Sequence, residues 1–153
     1  MQIEVTPIGH VRGGRTAIVD DGWDEVVAAI ELDPARFAED ALAGVDAFSH
    51  LLVVFHFHRA NAAKIEYAAR HPRGNPAWPK VGIFAQRGKE RPNRLGVSIC
   101  RILGVEGRRV QVQGLDALDG TPVLDLKPHM KGFEPRGEVR EPAWAGEIMA
   151  KYW

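Results

Sequence analysis

Apolar residues recur at every second position through several short stretches, and only the end of the chain carries a helical period. Such alternation marks half-buried strands, whose side chains point to opposite faces in turn. Ile3, Val5, Ile8 and Val11, closed by Gly13-Gly14, predict an opening strand, and Gly13 to Asp24 then reads as a loop. Val26 to Leu32 is a β-branched apolar segment. Asp33-Pro34 after it has the form of an N-cap with a helix-starting proline, so a short helix to about Ala43 is expected, ended by Gly44. Ala47 to Phe57 is rich in Val and Phe and predicts a buried central strand. Its period of two sends His50, Leu52, Val54, His56 and His58 to one face and Leu51, Val53, Phe55 and Phe57 to the other.

Arg59 to Arg70 has the composition of a short helix, and Pro72, Gly74, Pro76 and Pro79 then impose an irregular loop. Val81 to Ala85 predicts a short strand. Gln86 to Arg94 is a polar loop, Leu95 to Val105 and Arg109 to Gly114 form a hairpin around Glu106-Gly107, and Asp119-Gly120 turns the chain into Val123 to Leu126. In the closing segment, Pro142 to Trp153, Trp144, Ile148 and Tyr152 share one face of a helix that would dock on the barrel or on a partner subunit. Many short strands with hairpin turns and few helices predict a mainly β fold, a small antiparallel barrel with one or two short peripheral helices, because closure removes exposed edges. A doubly wound α/β fold would need long alternating helices and a G-x-G-x-x-G after a strand, and neither is present.

Length changes this picture little: 153 residues suit one domain, 1–153, with a tail at 131–153. The single cysteine, Cys100, excludes an internal disulfide, and the N-terminus lacks the basic and apolar regions of a signal peptide, so a cytoplasmic location is expected. The longest apolar run, Leu51 to Phe55, falls far short of the ~20 residues that span a bilayer, and no membrane is expected. Charge adds more. The formal net charge is zero, yet Asp20 to Asp46 holds nine acids and one base, while Arg59 to Arg109 holds twelve bases and three acids. Either the basic stretch attracts phosphates, or the two segments face each other in the fold.

His56-x-His58 on a strand, with His50 and His129 as further candidates, resembles a metal-binding pattern, but hydrogen-bonded or surface imidazoles are the commoner use of such a pair, and no metal is expected. No G-x-S-x-G is present, and Cys100 sits in the apolar run Val97 to Leu103, where a thiol is usually inert. Two features have the chemistry of a polar site. Arg87, Lys89, Arg91 and Arg94 project from a loop stiffened by Pro92, and guanidinium forks suit phosphates and carboxylates. Asp116, Asp119 and Asp125 lie within GLDALDGTPVLDLK, where Asp119-Gly120 is a turn and Asp116 has no evident structural duty.

PIGHVRG, GVDAFSHLLVVFHFH, VGIFAQRGKERPNRLGVS and GLDALDGTPVLDLKPH, in that order over roughly Thr6 to Met130, resemble the TrmO/TsaA-like family of YaeB/VirR-type proteins. The resemblance implies a dimeric β-barrel that uses S-adenosylmethionine (AdoMet) to methylate N6 of threonylcarbamoyladenosine beside the anticodon of tRNA. By position, the family's Phe-His-Gln falls on Phe57-His58-Arg59 and its Ala-Thr-Arg on Ala85-Gln86-Arg87. Its Arg-Pro-Asn-Pro-Ile-Gly falls on Arg91 to Gly96, and its LDxxDGTPVxDxKPY on Leu115 to His129. Arg59, Gln86, Arg94 and His129 depart from the family residues Gln, Thr, Pro and Tyr. The chain ends about where the family's barrel ends, without the C-terminal extension of many bacterial members.

The resemblance thus assigns AdoMet to Arg15, His58, Arg59, Arg87, Val97, Asp116, Ala117, Leu118 and Asp119. On that reading Arg91, Asn93, Arg94 and Lys127 are expected to hold tRNA phosphates or the threonyl carboxylate through charge-assisted bonds, and His129, at the family's Tyr position, is the candidate proton acceptor because a neutral imidazole can take a proton near pH 7. A small-molecule methyltransferase and a non-catalytic RNA-binding barrel are the alternatives, and a metal-dependent enzyme built on His56 and His58 is a third.

Overall fold

A computed structural model describes the whole chain, residues 1–153. Six antiparallel strands close a barrel in the order β1-β2-β7-β6-β3-β8: β1 Gly9–Arg12, β2 Val27–Leu32, β3 His50–His56, β6 Leu95–Glu106, β7 Arg109–Gln113 and β8 Pro122–Pro128. Between β3 and β6 the chain makes a long excursion that carries a two-stranded sheet, β4 Ala69–Arg70 with β5 Val81–Gly82. The excursion leaves and returns at one point, where the Phe57 N–H donates to the Arg94 carbonyl at 2.8 Å.

The barrel interior follows the period of two. On β3, Leu51, Val53 and Phe55 are buried while His50, Leu52, Val54 and His56 face outward. Directly paired residues of neighbouring strands share a face, and β3 and β6 match large to small: Leu51 opposite Cys100, Val53 opposite Ser98, Phe55 opposite Gly96. The last pair is tight, since a Cβ on Gly96 would stand 2.4 Å from Cε2 of the Phe55 ring. Val11, Ile30, Val110, Val112, Leu115 and Val123 join them in the core. The register shifts between Val54 and Phe55 against β8 and between Ile102 and Gly104 against β7, the kind of irregularity that bends a sheet towards closure.

Five expectations change. The opening strand covers only Gly9–Arg12, because Ile3 and Val5 find no partner and stand exposed. Asp33 to Ala43 is a run of turns instead of a helix. Asp33 does cap, its Oδ1 accepting from the Ala35 N–H at 2.9 Å, but the segment's two anchors are Phe37 and Leu42. Five positions apart, they would fall on different faces of a helix, whereas turns bring both to the core. Arg59 to Arg70 holds one 3-10 turn, Ala62–Lys64, and then β4; Val81 to Ala85 is β5 followed by the 3-10 turn Ile83–Ala85. The central strand runs His50–His56, so His58 lies beyond it, in a turn closed by the His58 N–H on the His56 carbonyl at 2.7 Å, and does not continue its outer face.

The closing helix, α1 Ala143–Met149, docks on the chain itself. The N–H groups of Gly22 and Trp23 donate to the carbonyls of Lys151 and Tyr152 at 2.9 and 2.8 Å, and the Trp78 indole donates to Glu147 at 2.7 Å. The acidic and basic segments do face each other: Arg73 pairs with Asp21, Arg101 with Asp24, Arg108 with Glu39 and Arg109 with Glu31. No helix is long and apolar enough to cross a membrane.

Candidate functional site

One end of the barrel opens into a cleft of about 1350 Å³. Its floor is the end of β3 with Phe55 and Phe57, Ser98 of β6, and the segment Asp116 to Leu118 between β7 and β8. One wall is the excursion, through Arg70 to Gly74 and Phe84 to Arg91; the other is the C-terminal segment, through Trp144, Ile148, Tyr152 and Trp153.

Local alternation places Asp116. Leu115 and Ala117 are buried in the core, so Asp116 and Leu118 turn the other way, towards the cleft. Both carboxylate oxygens are engaged: the Ser98 hydroxyl donates to Oδ1 and the Tyr152 hydroxyl to Oδ2. Burial, and then the charge of Asp116, push the Tyr152 pKa up, which keeps that phenol a proton donor. The backbone N–H groups of Ala117 and Leu118, two residues that line the cleft, donate to no group of the chain.

Charge is unevenly satisfied around the rim. Arg70 pairs with Glu90 at 2.7 Å and Arg73 with Asp21 at 2.8 Å. Arg87, Arg91 and Arg59 donate instead to backbone carbonyls, of Val97 at 2.6 Å, Gln86 at 2.7 Å and Thr16 respectively, and keep their charge unpaired. His58 also lines the cleft; partial burial, then Arg59 and His10, lower its pKa, so the imidazole is neutral near pH 7.

The expected residues therefore divide. His58, Arg59, Arg87, Val97, Asp116, Ala117, Leu118 and Arg91 meet in the cleft. Asp119 and Arg15 lie beside it and hold its surroundings: Asp119 accepts from the Gly13 N–H at 2.8 Å, and Arg15 binds the Asp21 and Gly22 carbonyls while stacking 4.5 Å over Trp23. Asn93 and Arg94 form the turn before β6, with Arg94 near His56, whose pKa burial and then Arg94 lower. Lys127 pairs with Asp125 at 2.8 Å on the outer side of β8, opposite Leu52.

His129 is not brought to the cleft. It follows β8 where that strand pairs with the start of β3, and its imidazole contacts Glu134 at 3.1 Å, in a small depression shared with His50. The length of β3, about 20 Å at the strand rise, separates the two places.

Sequence reading missed Ser98 and Tyr152 as partners of Asp116. Ser98 carries no local signal beyond its place in the strand predicted from Leu95, and Tyr152 is marked only as one face of a helix; nothing local links either to residue 116. Cys100, expected to be inert, is buried, and burial followed by the charge of Asp116 pushes its pKa up to about 12.

Residues 18–134 match the family model for the tRNA-methyltransferase O N-terminal domain. RcsF of Pseudomonas aeruginosa, named as an S-adenosylmethionine-dependent methyltransferase, is 38% identical over 147 residues, which are 92% of this chain and 62% of that protein. The human tRNA (adenine(37)-N6)-methyltransferase is 36% identical over 104 residues, 68% of this chain and 23% of that one. A crystal structure of TrmO superposes with a TM-score of 0.74 at 31% identity, covering 92% of this chain and 64% of the other. The chain thus spans less than two thirds of each of these relatives.

Proposed function

The chain belongs to the tRNA-methyltransferase O family, and we propose on that premise that it binds AdoMet in the cleft and methylates N6 of the adenosine beside the anticodon of tRNA, threonylcarbamoyladenosine being the preferred acceptor. One observation carries the reading: a half-buried carboxylate and two unpaired backbone N–H groups at Asp116 to Leu118 face unneutralised arginines across one cleft. The donor set fits the cofactor. Asp116 can take its ammonium or ribose hydroxyls, and the N–H groups of Ala117 and Leu118 can read the adenine edge.

Bound AdoMet supplies a methyl group on a sulfonium that is already a good leaving group. The chain's tasks are to hold the acceptor nitrogen in line and to remove one proton. Arg87 and Arg91 hold phosphate or the threonyl carboxylate through charge-assisted bonds. Of the two imidazoles at the cleft, His71 is engaged through Nδ1 with the Trp78 carbonyl at 2.7 Å, whereas His58 is neutral and able to accept the proton; His129 stands at the other end of β3.

The working form is a homodimer in the cytoplasm. The outer face of β6 exposes Leu95, Val97, Ile99 and Leu103 at 41–47%, an apolar stripe that runs into the cleft, where Leu95 and Val97 line it. A second copy on that face would shelter both stripe and cleft. Sedimentation showing only monomer at micromolar concentration, with and without AdoMet, overturns the dimer.

The function is tested by offering labelled AdoMet with modified tRNA, unmodified tRNA and a metabolite extract in parallel. Label in modified tRNA is the expected result. Label only in the extract makes this a small-molecule methyltransferase, and tRNA binding without AdoMet binding makes it an RNA-binding barrel.

A further inference from the structure

The matched family region ends at residue 134, yet the cleft is completed by residues beyond it. Tyr152 reaches Asp116 from the far end of the chain, 36 positions away, and takes one carboxylate oxygen while Ser98 takes the other. Ser98 is buried in the barrel wall and cannot turn away freely. Tyr152 is held from both sides, by its own carbonyl on the Trp23 N–H at 2.8 Å and by its ring edge-on to Trp153 at 4.9 Å between centroids. A carboxylate gripped by one hydroxyl on each oxygen cannot rotate. Each oxygen still keeps a lone pair for a ligand.

We infer that Tyr152 is a positioning residue of the cofactor site, fixing with Ser98 the orientation in which the Asp116 carboxylate meets the cofactor, so that the segment after residue 134 is a working part of the cleft. The inference rests on the proposed AdoMet site. A phenol that merely blocked Asp116 would be displaced on binding, and its removal would tighten the complex. A phenol that orients Asp116 leaves the carboxylate charged and aimed, and its removal frees the group to rotate and hydrate, an entropic cost that the ligand must then meet.

The experiment is a double-mutant cycle on AdoMet affinity by calorimetry, with thermal unfolding of each protein as a folding control. Tyr152→Phe keeps the ring and its packing, and is expected to bind AdoMet about tenfold more weakly, the scale of one hydrogen bond to a charged group partly replaced by water. In an Asp116→Asn background the same change is expected to cost nothing further, which a merely structural role of the ring would not produce. Should Asp116→Asn alone leave no measurable heat, S-adenosylhomocysteine displacement at high concentration supplies the same comparison. Unchanged or tighter binding by Tyr152→Phe, or an equal loss in both backgrounds, overturns the inference and leaves the cofactor site standing. No binding by the wild-type chain overturns the site itself.

Discussion

The barrel and the two walls of the cleft are held together in different ways. In the barrel every strand pairs on both sides, and the interior is a continuous cluster of buried Leu, Val, Ile and Phe side chains. The walls, residues 57–94 and 131–153, consist of short 3-10 turns, a two-stranded sheet and one helix. They bury only Ala60, Pro72, Ile83 and Gln86, and lean on single hydrogen bonds and ion pairs such as Arg70–Glu90 and Trp78–Glu147. Floor residues of the cleft, including Asp116 and Ser98, thus sit on the rigid part, while the cations and aromatic rings that would grip a large acceptor sit on the part able to adjust.

That contrast can be broken at its strongest point first. Phe55→Ala empties the barrel beneath the cleft and is expected to cost about 3–5 kcal/mol in denaturant unfolding, with walls and barrel lost together. A loss below about 1 kcal/mol would mean that the barrel is not the stabilising unit. Gly96→Ala tests the same contact from the other strand. The added Cβ displaces the Phe55 ring, and a destabilisation of about 1–3 kcal/mol is expected, with weaker AdoMet binding because the ring is also floor.

Alkali should act on the barrel as well. Cys100 ionises near pH 9 when unfolded and near pH 12 when folded, so above pH 9 the unfolded chain has released a proton that the native chain retains. Stability contributed by this group is therefore complete below pH 9 and falls by about 1.4 kcal/mol per pH unit between those values. A Cys100→Ala chain, whatever its stability at neutral pH, should show a shallower alkaline decline; an unchanged slope refutes the assignment. The smallest global effect belongs to a wall. Glu90→Gln removes the carboxylate charge facing Arg70 and should cost about 1 kcal/mol or less. Hydrogen exchange should nonetheless quicken at residues 66–90 and remain unchanged in β3 and β6, a difference that would vanish if walls and barrel opened as one unit.

What was legible in the sequence is what neighbours along the chain decide. The inward face of β3, the β6–β7 hairpin and the Asp119-Gly120 turn all follow from alternation and turn chemistry within a few residues. Asp116 could be singled out because, unlike Asp119 in its turn, it had no evident structural duty. The run from Asp33 to Ala43 misled because its capping signal was genuine while the demand to bury both Phe37 and Leu42, set by the barrel, outweighed it.

Sequence alone, then, determined a set of short strands, the residues they turn inward, and a family resemblance carried by four motifs. The tertiary structure decided which residues of those motifs meet in one cleft. It placed Arg91 in the cleft and Lys127 outside it, set His129 at the far end of β3, and joined Ser98 and Tyr152 to Asp116 across gaps of 18 and 36 residues. The reason is physical: alternation and turn propensity act over a few bonds, whereas the meeting of distant side chains depends on strand order, register and closure, which arise only when the whole barrel packs.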